Sequence, residues 1–585
     1  MGRLEGGATQ PSAQMTGLGT RNYIRASTLP QRVPYHEHIS MRRKQALPRI
    51  CIAATGNTPG ELMDCAARAL DDNGFVELRL DWVANPADAI AMIPNLLART
   101  GRLGKSKPVL QATCRRKPNG GRFTGSEARQ MDLLHHAARA GCRVIDLEIE
   151  SAERAGAAAI ALLREATSLL EAATLIISFH DFESTPALAA VARRLRRYPA
   201  DYYKIATTAT RQSDNCAVLD FLTAANDVKN EAGKWVGFAM GEAGVPSRVL
   251  ALARGSAFVY AAPSLQAPLA SDSQNRLAAP GQLDWKTLQD QYHAERLTRR
   301  TAIYGVLGNP VRHSLGAAIH NAALHTRGLD AVYLPLLAAD LGDFRRAAVR
   351  YPLSGFSITI PHKQGILRFV DKTDRWVRAA GAANTVRRRG DRWEAINTDI
   401  DGILAPLRKA YRLSPRERLP MSFRAVIVGN GGSARAAVIA LGELGCRNMF
   451  IAGRNPVHAR RLTSELGGKS IPLGALRAER FDLLIHATPV GMWPHSNECV
   501  LTPDQLCAET VFELVYNPSE TRLLQLARAN GCQTISGLEM FIAQAARQFE
   551  YWTGEAAPAK RMRQVAVQEL DRLRGPRNGG GEKIE

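Results

Sequence analysis

Between residues 50 and 263 the chain repeats one pattern: a short, nearly continuous apolar run, then a segment with apolar residues at helical spacing. The runs are Ile50–Ala54, Phe75–Leu80, Pro108–Cys114, Arg143–Ile149, Thr174–His180, Tyr202–Thr207, Trp235–Met240 and Ala257–Ala262. They are rich in Val, Ile, Phe and Tyr, as strands buried on both faces are. Segments such as Ala158–Ala166 and Pro186–Arg197 carry the helical spacing between them. Strands alternating with helices close most readily as a parallel sheet, and eight such units predict a (βα)8 barrel.

The spacing predicts the barrel's last helix over Asp284–Thr298, with Thr298–Ala302 a short basic linker. A second α/β alternation begins at Ile303. Tyr304–Gly308 runs into a helix start, Val332–Leu336 and Phe356–Ile360 follow as strands, and Thr385–Arg388 with Trp393–Ile396 form a hairpin around Gly390. Further on, Ala425–Gly429 and Asn448–Ala452 read as strands of a doubly wound sheet. The expected units are a barrel over 49–298, a substrate domain over 303–402 plus 538–575, and a Rossmann-type dinucleotide domain over 403–537. At 585 residues, two or three domains are expected.

The 76 basic and 55 acidic residues leave a formal charge of +21. No basic stripe with interleaved aromatics and no nucleic-acid motif accompanies it, so the surplus suits small anionic substrates and a phosphorylated cofactor better than nucleic acid. The nine cysteines form no Cys-x-x-Cys pair and no Cys/His cluster at ligand spacing, which argues against structural zinc and disulfides. No apolar run reaches the roughly 18 residues of a membrane span. Residues 1–48 hold only Glu5 and Glu37 as acids among several arginines and lack periodicity. That stretch reads as a disordered extension, an organelle transit peptide, or sequence ahead of a true start at Met41. A plastid location follows from the transit reading, and the cytoplasm from a bacterial source. The Gly579–Glu585 tail reads as disordered.

Polar residues fall where barrel chemistry sits, at the C-terminal strand ends. Glu77 and Arg79 lie in the second run, Arg115 just after the third, Asp146 and Glu148 on the fourth, His180 at the end of the fifth and Lys204 inside the sixth. Alternation turns Lys204 inward. Burial favours a neutral amine, which can attack a carbonyl to form a Schiff base. An ion-paired structural lysine and a satisfied core histidine are the plainer readings of Lys204 and His180. Side by side on successive strands, the two point to imine chemistry with a general acid/base.

The segments Glu77-Leu-Arg79-Leu-Asp81, Asp146-Leu-Glu148, Ser178-Phe-His180-Asp181, Tyr203-Lys204-Ile-Ala, Met240-Gly-Glu through Ser247-Arg248, and Pro280-Gly281-Gln282 resemble type I 3-dehydroquinate dehydratases. The resemblance covers residues 50–283. It implies Lys204 as the Schiff-base nucleophile on the substrate ketone and His180 as the general acid/base. Arg248 would bind the substrate carboxylate, and Glu77, Arg79, Arg115 and Gln282 would line the pocket. Three departures stand out: Asn119 where the family has a histidine-orienting glutamate, Ala278 for a substrate-contacting serine, and a long Leu265–Leu277 stretch.

In the second half, Gly429-Asn-Gly431-Gly432-Ser433-Ala434-Arg435 sits between a strand and an Ala-rich helix, the context a dinucleotide turn requires. The strand Asn448–Ala452 ends in Gly453-Arg454-Asn455, without the acid that binds a ribose 2′-hydroxyl; Arg454 suits a 2′-phosphate, and so NADP(H) rather than NAD. Lys363, after Thr359-Ile-Pro-His, becomes a proton-relay lysine when read with Asn397-Thr398-Asp399 and the dinucleotide turn; alone it would be a surface charge.

These motifs, together with Ser314, Ala383-Asn384-Thr385, Thr488-Pro-Val-Gly491-Met492, Tyr516-Asn-Pro and Gly537–Gln544, resemble shikimate dehydrogenase over residues 303–554. The whole chain is similar to the bifunctional dehydratase–dehydrogenase of plants. The resemblance implies Lys363 and Asp399 as the catalytic pair, Ser314 and Tyr516 on the carboxylate, and Thr359, Asn384 and Gln544 on the ring hydroxyls. Gly429, Gly431, Gly432, Ser433, Ala434, Arg435, Arg454, Thr488, Gly491 and Met492 would face NADP(H). No metal is expected. The family's Ser-x-Ser clamp is Ser314-Leu315-Gly316 here, which opens space for a hydroxyl on C1 and raises quinate dehydrogenase as an alternative. A non-catalytic sensor is a further alternative, which the presence of Lys204, His180, Lys363 and Asp399 disfavours.

Overall fold

The computed structural model describes residues 47–100, 107–168, 173–228, 231–264, 278–311 and 314–574. The 1–48 extension (but for its last two residues), the Leu265–Leu277 stretch and the C-terminal tail lie outside them.

The eight apolar runs form strands β1 (Ile50–Ala54), β2 (Phe75–Arg79), β3 (Val109–Thr113), β4 (Val144–Glu148), β5 (Thr174–His180), β6 (Tyr202–Thr208), β7 (Trp235–Met240) and β8 (Val259–Ala261). They pair in parallel in the order β7-β6-β5-β4-β3-β2-β1-β8, a nearly closed barrel. Burial on both faces explains why the runs lack alternation: every residue of β1 to β4 is buried. The last strand is shorter than expected, and the helix predicted over Asp284–Thr298 is not there. A short helical segment ends in a π-turn at Thr287–Gln291, and turns follow. His293 adopts a left-handed φ of 46°, which a right-handed helix cannot continue through.

A six-stranded mixed sheet follows: β9 (Ala302–Gly308), β10 (Ala331–Leu337), β11 (Leu353–Ile358), β12 (Lys372–Thr373), β13 (Thr385–Arg389) and β14 (Arg392–Ile396). Its order is β10-β9-β11-β13-β14-β12, with the predicted hairpin as β13 and β14. Then β15 (Arg424–Val428), β16 (Asn448–Ala452), β17 (Lys469–Ile471), β18 (Phe481–His486), β19 (Ala508–Glu513) and β20 (Gln533–Ile535) form an all-parallel sheet in the order β17-β16-β15-β18-β19-β20. Helices Thr398–Ala410 and Gly537–Thr553 pack together between the two sheets. No helix among the described residues is long and apolar enough to cross a membrane.

Barrel and mixed sheet share one hydrophobic core. Leu219, Leu222 and Val245 of the barrel belong to the same buried cluster as Leu336, Phe344 and Ala347. Polar contacts seal the junction: Gln212 Nε2 donates to Leu337 O at 2.7 Å, Ser213 N to Asp343 Oδ2 at 3.2 Å, and the buried Tyr351 hydroxyl to Gln212 O at 3.4 Å. Arg350 forms an ion pair with Asp220 across it.

Three buried or half-buried histidines make the stability of this fold depend on pH. His320, 2% exposed, stacks on Tyr333 at 4.5 Å, and burial pulls its pKa down to about 3. His293 and His325, their rings 3.8 Å apart between the halves, are also lowered, His325 to about 4; burial is the main cause in each. A histidine whose folded pKa lies below its unfolded value contributes stability that is full above about pH 6.5 and is lost as pH falls toward the folded value. Glu150, Asp374 and Asp401, raised mainly by burial (Asp401 to about 6), work in the opposite direction, whereas Asp146, held low by Lys204 and Arg115, adds to the loss in acid. Urea unfolding at pH 7.5 and pH 5 is expected to show lower stability at pH 5, with about 2 kcal/mol from His320 alone. An unchanged midpoint would contradict this account.

Candidate active sites

Parallel barrels fill their interior with layers drawn from alternate strands. Here one layer is Glu77 from β2, Asp146 from β4, Lys204 from β6 and Tyr260 from β8, all buried. Lys204 Nζ lies 2.9 Å from Asp146 Oδ2 and 4.0 Å from the centre of the Tyr260 ring. Ser178 Oγ donates to Asp146 Oδ1 at 2.6 Å, and Arg115 approaches the same oxygen at 3.7 Å. Desolvation alone would raise the Asp146 carboxyl, but Lys204, Arg115 and Ser178 together hold it below the usual range. Glu77 accepts from Thr113 Oγ1 at 2.6 Å and Gln111 Nε2 at 3.1 Å.

Above this layer a cleft of about 390 Å3, its mouth included, is lined by Glu77, Arg79, Arg115, His180, Lys204 and Arg248, with Gln282, Ala278 and Phe182 around them. Every predicted barrel residue is therefore brought together. Arg79 is clamped by Asp81 through two bonds of 2.9 Å. Arg248 is different. It is 2% exposed and donates to Pro280 O at 3.0 Å, yet no carboxylate among the described residues neutralises it, and burial pulls its pKa down to about 9. Arg248 Nε, Arg115 Nε and Gln282 Oε1 have no hydrogen-bond partner among the described residues. A buried guanidinium with no carboxylate partner among the described residues, beside the unpaired Arg115 Nε–H, suits an anionic group, while Gln282 Oε1 offers an acceptor to a hydroxyl.

His180 faces the cleft, its Nδ1 without a hydrogen-bond partner among the described residues. Burial, then the charges of Arg115, Lys204 and Arg79, hold its pKa well below the ordinary histidine value, so it rests neutral and able to accept a proton. Asn119 does not reach the cleft wall: its amide donates to Glu148 Oε1 at 3.2 Å, and Glu148 also takes Arg116 N and Gln130 Nε2. Ala278 keeps a role through its carbonyl, which accepts from Arg79 at 3.3 Å.

In the second half, Lys363 Nζ meets Asp399 Oδ2 at 2.6 Å, with the lysine side chain 33% exposed and the carboxylate 16%. Asn397 caps the helix that carries Asp399, its Oδ1 accepting Asp399 N at 3.1 Å. Asn384, buried on the strand edge opposite, donates to Asp399 Oδ1 at 2.8 Å and so fixes the carboxylate from the other side. Gln544 accepts from Thr398 Oγ1 at 3.5 Å. One turn on, Gln548, absent from the predicted set, donates to Thr385 Oγ1 at 3.0 Å and buttresses Asn384; its signal is the i, i+4 spacing from Gln544. Thr359 follows β11, bonded through its amide to Leu307 O. Ser314 opens the helix Gly316–Thr326 and accepts Gly316 N at 3.2 Å. Tyr516 stacks on Phe541 at 4.4 Å.

The dinucleotide turn fits a nucleotide diphosphate on structural grounds. Gly429 has φ 129°, and a Cβ there would stand 2.6 Å from Ala487 O, so only glycine closes this turn. Gly431 and Gly432 face open space at the N-terminus of helix Gly432–Glu443, with Ser433 exposed and Ala434 buried behind them. Arg454, exposed at the end of β16, has no carboxylate partner among the described residues, whereas Arg435 is tied to Glu465. Gly491, at φ 85°, turns the loop that carries Thr488 and the exposed Met492. Among the described residues no cluster of three or more His, Cys, Asp or Glu stands ready to hold a metal ion.

A lysine buried in a (βα)8 barrel beside a histidine and an uncompensated arginine, followed by a lysine–aspartate pair next to a dinucleotide turn, defines a fusion of a lyase-type barrel with a nucleotide-dependent oxidoreductase. The sequence matches the model of type I 3-dehydroquinase over residues 50–298, that of the shikimate dehydrogenase substrate binding domain over 306–386, and that of the shikimate 5′-dehydrogenase C-terminal domain over 537–567. A relative from Arabidopsis thaliana, the chloroplastic bifunctional 3-dehydroquinate dehydratase/shikimate dehydrogenase, is 32% identical over 503 residues, covering 83% of this chain and 78% of the relative. The NADP(+) shikimate dehydrogenase of Methanopyrus kandleri is 39% identical over 287 residues, 46% of this chain and 96% of that protein. The solved shikimate 5-dehydrogenase of Thermus thermophilus aligns with a TM-score of 0.41 at 32% identity, covering 46% of this chain and 99% of that one. The chain belongs to the bifunctional 3-dehydroquinate dehydratase/shikimate dehydrogenase family.

Proposed function

We propose that the barrel converts 3-dehydroquinate to 3-dehydroshikimate and that the second half reduces 3-dehydroshikimate to shikimate with NADPH. The observation that carries this is the buried Lys204–Asp146 pair below Arg248, a cation waiting for a carboxylate. Arg248 holds the substrate carboxylate. The Lys204 amine, freed when its proton passes to neutral His180, adds to the C3 ketone; His180 returns that proton to the departing hydroxyl, and loss of water gives the imine. Neutral His180 removes a proton from C2 and returns it to the departing C1 hydroxyl, so one water leaves; hydrolysis of the imine frees the product and the lysine. Glu77, Arg79, Arg115 and Gln282 fix the ring.

In the second half, NADPH when bound supplies the hydride. Gly429, Gly431, Gly432, Ser433, Ala434 and Arg435 would hold it, with Arg454 at its 2′-phosphate and Thr488, Gly491 and Met492 on the loop beside it. Lys363 gives a proton to the ketone oxygen while Asp399 keeps the ammonium aimed. Ser314 and Tyr516 bind the carboxylate, and Thr359, Asn384 and Gln544 the hydroxyls. We assign residues 49–298, 303–402 with 538–575, and 403–537 to the three domains, with no metal and no nucleic acid required.

The test is to supply 3-dehydroquinate and NADPH together and identify the product. Shikimate supports both halves at once; quinate would mean that the reductase takes the first substrate directly. On the quinate alternative, Gly316 leaves less room than its missing side chain suggests. A Cβ there would stand 3.1 Å from Ser314 Oγ and 3.3 Å from the Tyr333 hydroxyl, which is itself bonded to Ser357. Tyr333 thus fills much of the gap and leaves a hydroxyl in it, which favours shikimate. Gly316→Ser is therefore expected to lower kcat/KM for shikimate, by about five-fold, through crowding rather than to improve it. A gain in shikimate turnover would show that the clamp's second hydroxyl is missed.

A further inference from the structure

The dinucleotide sheet holds a buried hydrogen-bonded chain that the mechanism above does not use. His486 ends β18 and Glu513 ends β19, and the parallel register sets them side by side. Both side chains are 1% exposed, and His486 Nδ1 lies 2.8 Å from Glu513 Oε1. His486 Nε2 lies 2.5 Å from Thr488 Oγ1. Thr488 is half-buried, and its methyl would lie 3.2 Å from a Cβ at Gly429, so the chain ends beside the glycine turn.

The direction of the protons follows from the partners. Glu513 accepts from Val515 N at 2.9 Å and Thr521 Oγ1 at 3.0 Å as well as from His486. A carboxylate that only accepts requires the hydrogen on His486 Nδ1. In the neutral imidazole Nε2 is then an acceptor, and Thr488 must spend its one hydroxyl hydrogen on it. Thr488 Oγ1 also receives Val490 N at 3.3 Å. What the hydroxyl presents outward is a lone pair, not a hydrogen.

We propose that Glu513 and His486 are positioning residues that lock Thr488 as a hydrogen-bond acceptor for the nicotinamide dinucleotide, meeting one of its donors: a ribose hydroxyl or the carboxamide NH2. A free threonine rotor would offer its hydrogen as readily as its lone pair and would lose rotational freedom on binding. The relay removes that choice in advance. The inference rests on the cofactor reading above and adds the residues that orient one contact within it.

His486→Asn keeps an amide hydrogen for Glu513 but is too short to reach Thr488 as well. It is expected to raise the KM and Kd for NADPH about five-fold, one hydrogen bond's worth, with kcat for reduction of 3-dehydroshikimate changed less than about two-fold. Thr488→Val, at a half-buried site, should give the same shift, Thr488→Ser should restore wild-type values, and the double variant should be no worse than either single. Dehydration of 3-dehydroquinate by the same chain reports that each variant is folded. If the unaltered protein binds NADPH but His486→Asn and Thr488→Val leave its affinity untouched, or if the double loss is the product of the single ones, the relay is only structural. Failure of the unaltered protein to bind NADPH would instead sink the cofactor reading, and this inference with it.

Discussion

Replacing Lys204 by alanine is expected to abolish dehydration of 3-dehydroquinate, by about 10⁴-fold or more, the scale on which loss of a covalent nucleophile acts. Reduction of supplied 3-dehydroshikimate should be unaffected. The loss would be chemical rather than structural, because Asp146 keeps Arg115 at 3.7 Å and the Ser178 hydroxyl at 2.6 Å after the ammonium is removed. Lys204→Arg sharpens the test: it keeps the charge beside Asp146 but supplies no amine for an imine, so it should be as inactive as the alanine variant. Borohydride added with substrate should fix a covalent adduct on the unaltered protein and none on either variant. An active Lys204→Arg enzyme would mean that the lysine acts as a charge, and the Schiff-base route would have to be abandoned.

The second large effect is the mirror of the first. Lys363→Ala should lower reduction by about 10²–10⁴-fold, the usual contribution of a positioned proton donor, with little change in KM for NADPH. Dehydration should proceed, so a mixture of 3-dehydroquinate and NADPH should accumulate 3-dehydroshikimate. Asp399→Asn should be the milder lesion. It keeps the hydrogen bond from Asn384 in reach but gives up the charge that holds Lys363 at 2.6 Å. Equal damage to both reactions by a folded Lys363→Ala protein would refute the division of labour between the halves.

Much of this architecture was legible from pattern alone. Strands buried on both faces write themselves as unbroken apolar runs, so seven of the eight barrel strands appear within a residue or so of their predicted ends, β8 alone falling short. Helical spacing continues past His293 and so predicts a last barrel helix, whereas the backbone there turns left-handed and ends it. Residues such as Lys204, His180, Lys363 and Asp399 stand out because a charged group in an apolar run, or a lysine ahead of Asn-Thr-Asp, is costly without a purpose. Their partners were harder to see. The pairing of Asp146 with Lys204 depends on inward layers from strands two apart, and that of His486 with Glu513 on the register of β18 against β19. The turning of Asn119 toward Glu148 depends on where a loop folds back. Parallel registers are set by crossover helices and carry no local sequence mark.

The junction sealed by Gln212, Tyr351 and the Arg350–Asp220 pair has a consequence for how such a chain can change over generations. With apolar residues of the barrel and the mixed sheet in one core, neither half can be traded, trimmed or retired without baring the other's interior. The supply of the intermediate and its consumption are then held at one-to-one stoichiometry in every molecule made. A heat or acid stress that opens either half silences both steps together, so a cell would lose the route as a whole rather than strand it midway.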